Sequence, residues 1–211
     1  MGMNYFGENI NIFSPSWYYL NELELQEQQE ISELFKDFID NDDNFAKPSS
    51  WDHNVKASYY HKNNANAPWA KWLDIIEPQI NNFLKNVGTT HPVEVIPKEV
   101  WVNKYRPGDS QEYHQHCTPT TNISLVYFHT LNKDDNCNFQ FHNGSSEYQL
   151  TGLSDLLHIP NVQYTIPETK QGSVIIFPSF YPHLVTTHRG TKQRITFAGN
   201  FRIVPQGWKD N

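Results

Sequence analysis

A chain of 211 residues, 37% hydrophobic and 14% aromatic, has enough apolar material for one sizeable core. Its net charge of −7, without a basic stripe, argues against a nucleic-acid backbone as partner, and no apolar run approaches the length of a membrane-spanning helix. Cys117 and Cys137 make neither a disulfide framework nor a zinc-knuckle spacing, and residues 1–15 lack the basic and apolar regions of a secretory signal, so a reducing, cytoplasmic setting is expected.

The first 20 residues are aromatic and irregular (Tyr5, Phe6, Phe13, Trp17, Tyr18, Tyr19) and read as an arm packed on the body. Leu23, Leu25, Ile31, Leu34, Phe35 and Phe38 recur at helical spacing, predicting a helix from Asn21, its N-cap, to Phe38. Residues 40–67 are polar, contain Pro48 and read as a long loop. A second helix is expected from Pro68 to Val87, with Trp69, Trp72, Leu73, Ile76, Ile80, Phe83 and Leu84 on one face, Gly88 as its stop, and a kink or split at Pro78. Beyond Pro92 the chain turns to short alternating runs: 99–105, 122–130, 138–142, 173–177, 183–187 and 194–204. Turn signals separate them at Arg106-Pro107-Gly108-Asp109, at 132–135, at Asn143-Gly144 and at Gln171-Gly172. With no βαβ alternation, the expected architecture is mainly β, a sandwich or jelly roll with flanking N-terminal helices. The whole chain, 1–211, is expected to form one domain, with the arm and supporting helices over 1–92 and the β core over 93–204.

Chemistry concentrates in Glu112-Tyr113-His114-Gln115-His116-Cys117. On a strand, His114 and His116 project to the same side and could hold a transition metal with a third ligand from elsewhere. The pair alone is weak, since ten histidines in this chain give roughly half a His-x-His triplet by chance. On the last strand Arg194, Thr196, Ala198, Asn200 and Arg202 form a polar face, set toward a wet pocket or bulk solvent, while Ile195, Phe197, Phe201 and Ile203 form an apolar one. A turn at 188–191 would lay strands 183–187 and 194–200 side by side as a hairpin, bringing His183 and Arg194 to one pocket. The other histidines (His53, His61, His91, His129, His142, His158, His188) have no spaced partner.

The ordered frame Asn103-x-Tyr105-x-x-Gly108, His114-x-His116, Ser124-x-x-Tyr127-Phe128, Gly172…Phe177-Pro178…His183, Arg194-x-Thr196 resembles the iron(II)/2-oxoglutarate-dependent oxygenase superfamily over residues 98–204. Within it, the chain is most similar to the prolyl-hydroxylase-like group, including bacterial and phage oxygenases, so the host cytoplasm is one implied setting. The resemblance implies a double-stranded β-helix (a cupin-like jelly roll) that hydroxylates a C–H bond using Fe(II), 2-oxoglutarate and O2, with succinate and CO2 as coproducts. It implies His114 and His183 as iron ligands, and no catalytic residue beyond the metal ligands. His116 stands where the family usually carries Asp or Glu; the most similar group often shows His-x-His, which favours a three-histidine set, with Glu112 as a substitute carboxylate in second place. By the same resemblance Arg194 pairs with the distal carboxylate of 2-oxoglutarate, as a planar guanidinium can do bidentately. Thr196 adds a hydroxyl and Tyr105 stands near the cosubstrate. Phe128 replaces a frequent tyrosine, with Ser124 as a compensating hydroxyl. The implied partner is a small molecule or a peptide, a prolyl residue first, and neither nucleic acid nor membrane. Three competing readings are a non-catalytic jelly-roll binding or structural module with a degenerate metal site, a His/His/Cys zinc site through Cys117, and a zinc hydrolase, for which there is no His-Glu-x-x-His motif.

Overall fold

A computed structural model describes residues 16–131, 138–142 and 164–208. Two helices and ten strands follow one another along the chain. Strand β1 (Tyr19–Glu22) precedes helix α1 (Leu25–Asp40), and the two-residue β2 (Lys56–Ala57) precedes helix α2 (Trp69–Val87). Then come β3 (Val93–Tyr105), β4 (Gln111–His114), β5 (Ile123–Thr130), β6 (Phe139–His142), β7 (Tyr164–Thr165), β8 (Ser173–Pro178), β9 (His183–Val185) and β10 (Arg194–Pro205). The antiparallel pairings make a six-stranded sheet, β1-β8-β5-β10-β3-β2, and a four-stranded sheet, β4-β9-β6-β7. From β3 onward the chain shuttles between the two sheets, as a jelly roll requires.

Side-chain alternation sorts the large sheet into two faces. On the outer face, Leu125, Tyr127, Val174, Ile176, Ile195, Phe197 and Phe201 pack against Ile31, Phe35 and Phe38 of α1 and Trp72, Ile76, Ile80 and Phe83 of α2. Phe197 is central: Trp72 stacks on it at 5.9 Å and Phe35 meets it edge-on at 4.8 Å. On the inner face, Tyr105, Phe128, Ile175 and Phe177 meet Phe139, Phe141 and Val185 from the small sheet. The helices therefore cover one side only, and the second side is free to enclose a site between the sheets.

Several boundaries differ from those expected. Asn21 is not a helix cap: it pairs with Val174 as part of β1, which edges the large sheet. Helix α1 instead starts at a capping box in which Glu24 and Glu27 exchange side-chain-to-backbone hydrogen bonds. The aromatic arm does pack on the body where it is described, with Trp17 stacked on Phe83 and Tyr18 on Phe141, whereas Tyr5, Phe6 and Phe13 lie outside the described residues. So do the turns at 132–135 and Asn143-Gly144, and also His158. Helix α2 runs unbroken through Pro78. Pro78 and Asp74, whose carbonyl loses its partner to the proline, are both exposed, so water can satisfy the group.

The buried Lys104 ties α1 to the sheet, donating to the Ile39 carbonyl at 2.9 Å and to Asp42 at 2.6 Å. A cation at the C-terminal end of a helix meets its unsatisfied carbonyls and the negative end of its dipole.

The expected hairpin between 183–187 and 194–200 does not form. Strand β9 belongs to the small sheet, between β4 and β6, and β10 to the large one, between β5 and β3. The turn at 188–191 therefore carries the chain across from sheet to sheet. His188 secures it, accepting Gly190 N–H and meeting the Lys192 carbonyl at 2.6 Å.

Candidate metal centre

The small sheet positions the histidines. His114 ends β4 and sits directly opposite His183 on β9, so the two imidazoles are cross-strand partners with ring centroids 4.2 Å apart. A register shift between Gln111 and His114 re-aims the end of β4, as bulges beside sites commonly do. His116 lies just past β4, outside the ladder, and its backbone N–H donates to the Ser179 carbonyl. All three imidazoles converge, with one ring nitrogen from each within 4.8 Å of the others.

Hydrogen bonds prepare two of the three for a metal. His114 Nδ1 is 2.7 Å from the Glu112 carbonyl, and His183 Nδ1 is 2.9 Å from the Tyr181 carbonyl. A carbonyl only accepts, so each Nδ1 carries the proton and each Nε2 keeps its lone pair for a cation. His183 is fully enclosed, stacked on Phe139 at 5.2 Å and edge-on to Phe177 at 5.0 Å. His116 has no such carbonyl; its Nδ1 is 3.5 Å from the Asn200 amide nitrogen, and Trp101 flanks its ring at 5.8 Å.

Burial holds the three rings neutral. It lowers His114 below the ordinary imidazole value and His183 well below it, the neighbouring imidazoles adding to the effect on His183. For His116 burial and then the charge of His114 bring the value to about 3. Three neutral imidazoles suit Fe, Zn, Cu or Ni.

The carboxylate alternative is not built into the cluster. Glu112 turns away and accepts from Asp52 N–H at 3.3 Å, and among the described residues no Asp, Glu or Cys joins the three histidines. Cys117 is exposed.

The cavity between the sheets takes in the triad from one wall and the inner face of β3, β5 and β10 from the other. Arg194, Thr196, Ala198 and Asn200 all line it and are buried, so the polar face of the last strand looks inward rather than at solvent. The Arg194 guanidinium lies 5.5 Å from the Tyr105 ring and 5.3 Å from the Phe128 ring. Tyr105 donates its hydroxyl to Gln111 at 2.8 Å, and Gln111 approaches His114 Nε2 at 3.5 Å. Thr196 accepts from the Asn103 amide at 3.3 Å, which leaves the hydroxyl proton able to serve a ligand. Ser124 lines the same cavity but directs its proton to Asn200 Oδ1 at 2.8 Å. Arg194 is the one formally charged side chain among the described lining residues once the imidazoles are neutral, so the cavity favours an anionic guest.

All seven residues expected at the site, His114, His116, His183, Arg194, Thr196, Tyr105 and Ser124, line this one cavity. Sequence reasoning missed Gln111 and the place of Trp101 on the cavity wall. Trp101, Asn103 and Tyr105 share one parity of β3, and that alternation was the signal available for Trp101. Nothing marked Gln111, whose inward turn depends on the register shift in β4.

Comparisons with known proteins bear on the fold and the family. Residues 99–200 match the family model described as "Putative 2OG-Fe(II) oxygenase". No match was found among curated protein sequences. A prolyl-4-hydroxylase from Pseudomonas putida superposes with a TM-score of 0.60 at 15% identity, covering 91% of this chain and 94% of that one. A Trichoplax adhaerens prolyl hydroxylase, solved with a hypoxia-inducible-factor peptide fragment, gives 0.61 at 10% identity, covering 88% and 83%. HygX from Streptomyces hygroscopicus, solved with nickel, 2-oxoglutarate and hygromycin B, gives 0.57 at 9% identity, covering 92% and 84%. At these identities the structural likeness speaks to the fold, a double-stranded β-helix. Residues 99–200, the β core that carries the histidine triad, thus match the 2OG-Fe(II) oxygenase family model, and the chain shares the double-stranded β-helix of these oxygenases.

Proposed function

We propose that this protein is an Fe(II)- and 2-oxoglutarate-dependent dioxygenase that hydroxylates a C–H bond, with His114, His116 and His183 as the metal ligands. The observation that carries the reading is the pairing within one cavity of three neutral, convergent imidazoles with a buried arginine on the facing sheet. When bound, the metal and its cosubstrate supply the oxidation, consuming O2 and releasing succinate and CO2. The chain's own residues bind, orient and exclude water. His114 and His183 present preset Nε2 lone pairs, and with His116 they would hold the metal on one wall of the cavity. Arg194 receives the distal carboxylate of 2-oxoglutarate, Thr196 donates its hydroxyl, and Tyr105 and Ser124 shape the same pocket. Phe128, fully buried, cannot bond the cosubstrate as a tyrosine would; its ring instead backs the guanidinium.

A peptidyl prolyl residue is the first substrate class to try, because similar structures include two prolyl hydroxylases, and small metabolites come second. The experiment is an anaerobic titration with Fe(II) and 2-oxoglutarate. A visible charge-transfer band should appear, and succinate should form once O2 is admitted. The band should vanish in His183→Ala. No band and no 2-oxoglutarate-stimulated succinate in the unmodified protein overturns the reading.

A further inference from the structure

Along the inner face of β3, alternate side chains form a row that runs the length of the cavity, and the register with β10 gives each a partner. Tyr105 stands opposite Arg194, Asn103 opposite Thr196, Trp101 opposite Ala198 and Glu99 opposite Asn200. The Arg194 end is closed, with Tyr105 and Arg194 both 1% exposed, and the row opens toward Glu99, which is half-buried. Trp101 flanks the His116 ring at 5.8 Å, so the metal centre lies partway along. Beyond it the wall becomes aromatic: Tyr59 lies 4.8 Å from Trp101 and 5.9 Å from Trp51, and Tyr60 lies 4.0 Å from Tyr59. Tyr60 is 78% exposed and held in left-handed backbone (φ 57°), a strained conformation for a bulky residue and one that collects at functional sites. The Tyr59 hydroxyl lies between the Tyr60 hydroxyl, at 3.1 Å, and the Glu99 carboxylate. Glu99 accepts from the Asn200 amide at 2.9 Å, yet among the described residues no lysine, arginine or histidine pairs with it.

The two ends of the row therefore carry opposite charge. Arg194 suits an anion at the closed end, and Glu99, set among aromatic rings at the open end, suits a cation. A carboxylate pairs with an ammonium or a guanidinium, and aromatic faces attract the same groups. We propose that Glu99, flanked by Trp101 and Tyr59, binds a positively charged group of the substrate, so that the substrate is an organic cation: a free amine or guanidine, or a peptide carrying a lysyl or arginyl side chain. The inference rests on the oxygenase reading above and narrows its substrate class. Two residues of strand, about 7 Å, separate Glu99 from Trp101, so the charge should lie about the length of a lysine's four-carbon stem from the carbon that reacts.

The test uses the full chain loaded with Mn(II) and 2-oxoglutarate under nitrogen, with binding read by calorimetry. Two matched pairs serve as probes: n-pentylamine against n-pentanol for a free amine, and acetyl-Lys-Pro-Gly-amide against its norleucine counterpart for a peptide. In at least one pair the cationic member should bind about tenfold more tightly or better, and the pair that responds tells a small amine from a peptide. Glu99→Gln keeps the size of the half-buried side chain, removes its charge and should abolish the preference. Glu33→Gln, an equal loss of charge at an exposed position of α1, should leave it. Mn(II) and 2-oxoglutarate binding, measured on each variant, reports whether the cavity is intact. No cationic preference in either pair, or one that survives Glu99→Gln, overturns the inference, while the oxygenase reading still stands on its succinate assay. Unmodified protein that binds neither Mn(II) nor 2-oxoglutarate overturns the oxygenase reading, and the inference with it.

Discussion

Arg194 shows how much one buried side chain is asked to do. A guanidinium can grip a carboxylate through two parallel hydrogen bonds, whereas an ammonium offers a point charge. Replacing it by lysine keeps the charge but loses the fork, and charge-assisted bonds contribute about 1.5–3 kcal/mol each. Arg194→Lys should therefore weaken 2-oxoglutarate binding by roughly tenfold or more, measured anaerobically on Mn(II)-loaded protein, with little change in Mn(II) affinity itself; equal 2-oxoglutarate affinities would remove Arg194 from the cosubstrate site. Acid sensitivity also belongs to single residues. His129, on β5 beside Phe197, is held down to about 4 by burial. The unfolded chain takes up that proton near pH 6.5 and the folded chain only near 4. The stabilisation is thus fully present above about pH 6.5 and is lost as pH falls toward 4. The urea midpoint should drop between pH 7 and 4.5, and His129→Phe should make that drop smaller; an acid-insensitive midpoint would count against it. The frame of His114, His183 and Arg194 was legible in the sequence because these residue types carry their chemistry openly. Gln111 was not, since a glutamine beside a turn carries no sign that a register shift will aim it at His114.

Gly172 illustrates the element scale. It opens β8 in a positive-φ turn (φ +91°), its N–H bonding Phe128 and its carbonyl taking Leu23 N–H. A Cβ there would strike the Gln28 side-chain amide, which itself donates to the Leu23 carbonyl at the start of α1. The glycine thus serves both a turn and the docking of a helix onto the sheet. Gly172→Ala should cost about 1–3 kcal/mol, seen as a lower urea midpoint, with the metal site keeping its affinity in the folded fraction. Helix α2 and five of the β-core strands were readable within a few residues from periodicity alone, and β3 proved to begin earlier, at Val93. Strand β1 was not, because Tyr19–Glu22 is too short and polar to announce itself and forms only because the edge of β8 is there to receive it. The same limit hid the fate of β9 and β10. A short turn between two strands favours a hairpin locally, but His183 finds His114 and Phe141 as its neighbours in the small sheet, and Arg194 finds Tyr105 in the large one.

For the molecule as a whole, the site closes only when both sheets are in place, so ligands should stabilise the entire fold. Binding to the native state alone raises stability by RT ln(1 + [L]/Kd), about 2.7 kcal/mol at a hundredfold excess over Kd. Mn(II) should raise the thermal midpoint, 2-oxoglutarate should add to it only when the metal is present, and His183→Ala should abolish both increments. A 2-oxoglutarate shift that persists without metal would mean that the cosubstrate binds elsewhere. Sequence alone determined the mainly β class with flanking helices and the two faces of the last strand, because those follow from periodicity, while the roles of the histidines and Arg194 came from the family resemblance. Only the tertiary structure decided that the polar face of the last strand looks inward, which strand each strand pairs with, and that the three imidazoles converge. Each of those depends on contacts between segments far apart in the chain, and local pattern carries no record of them.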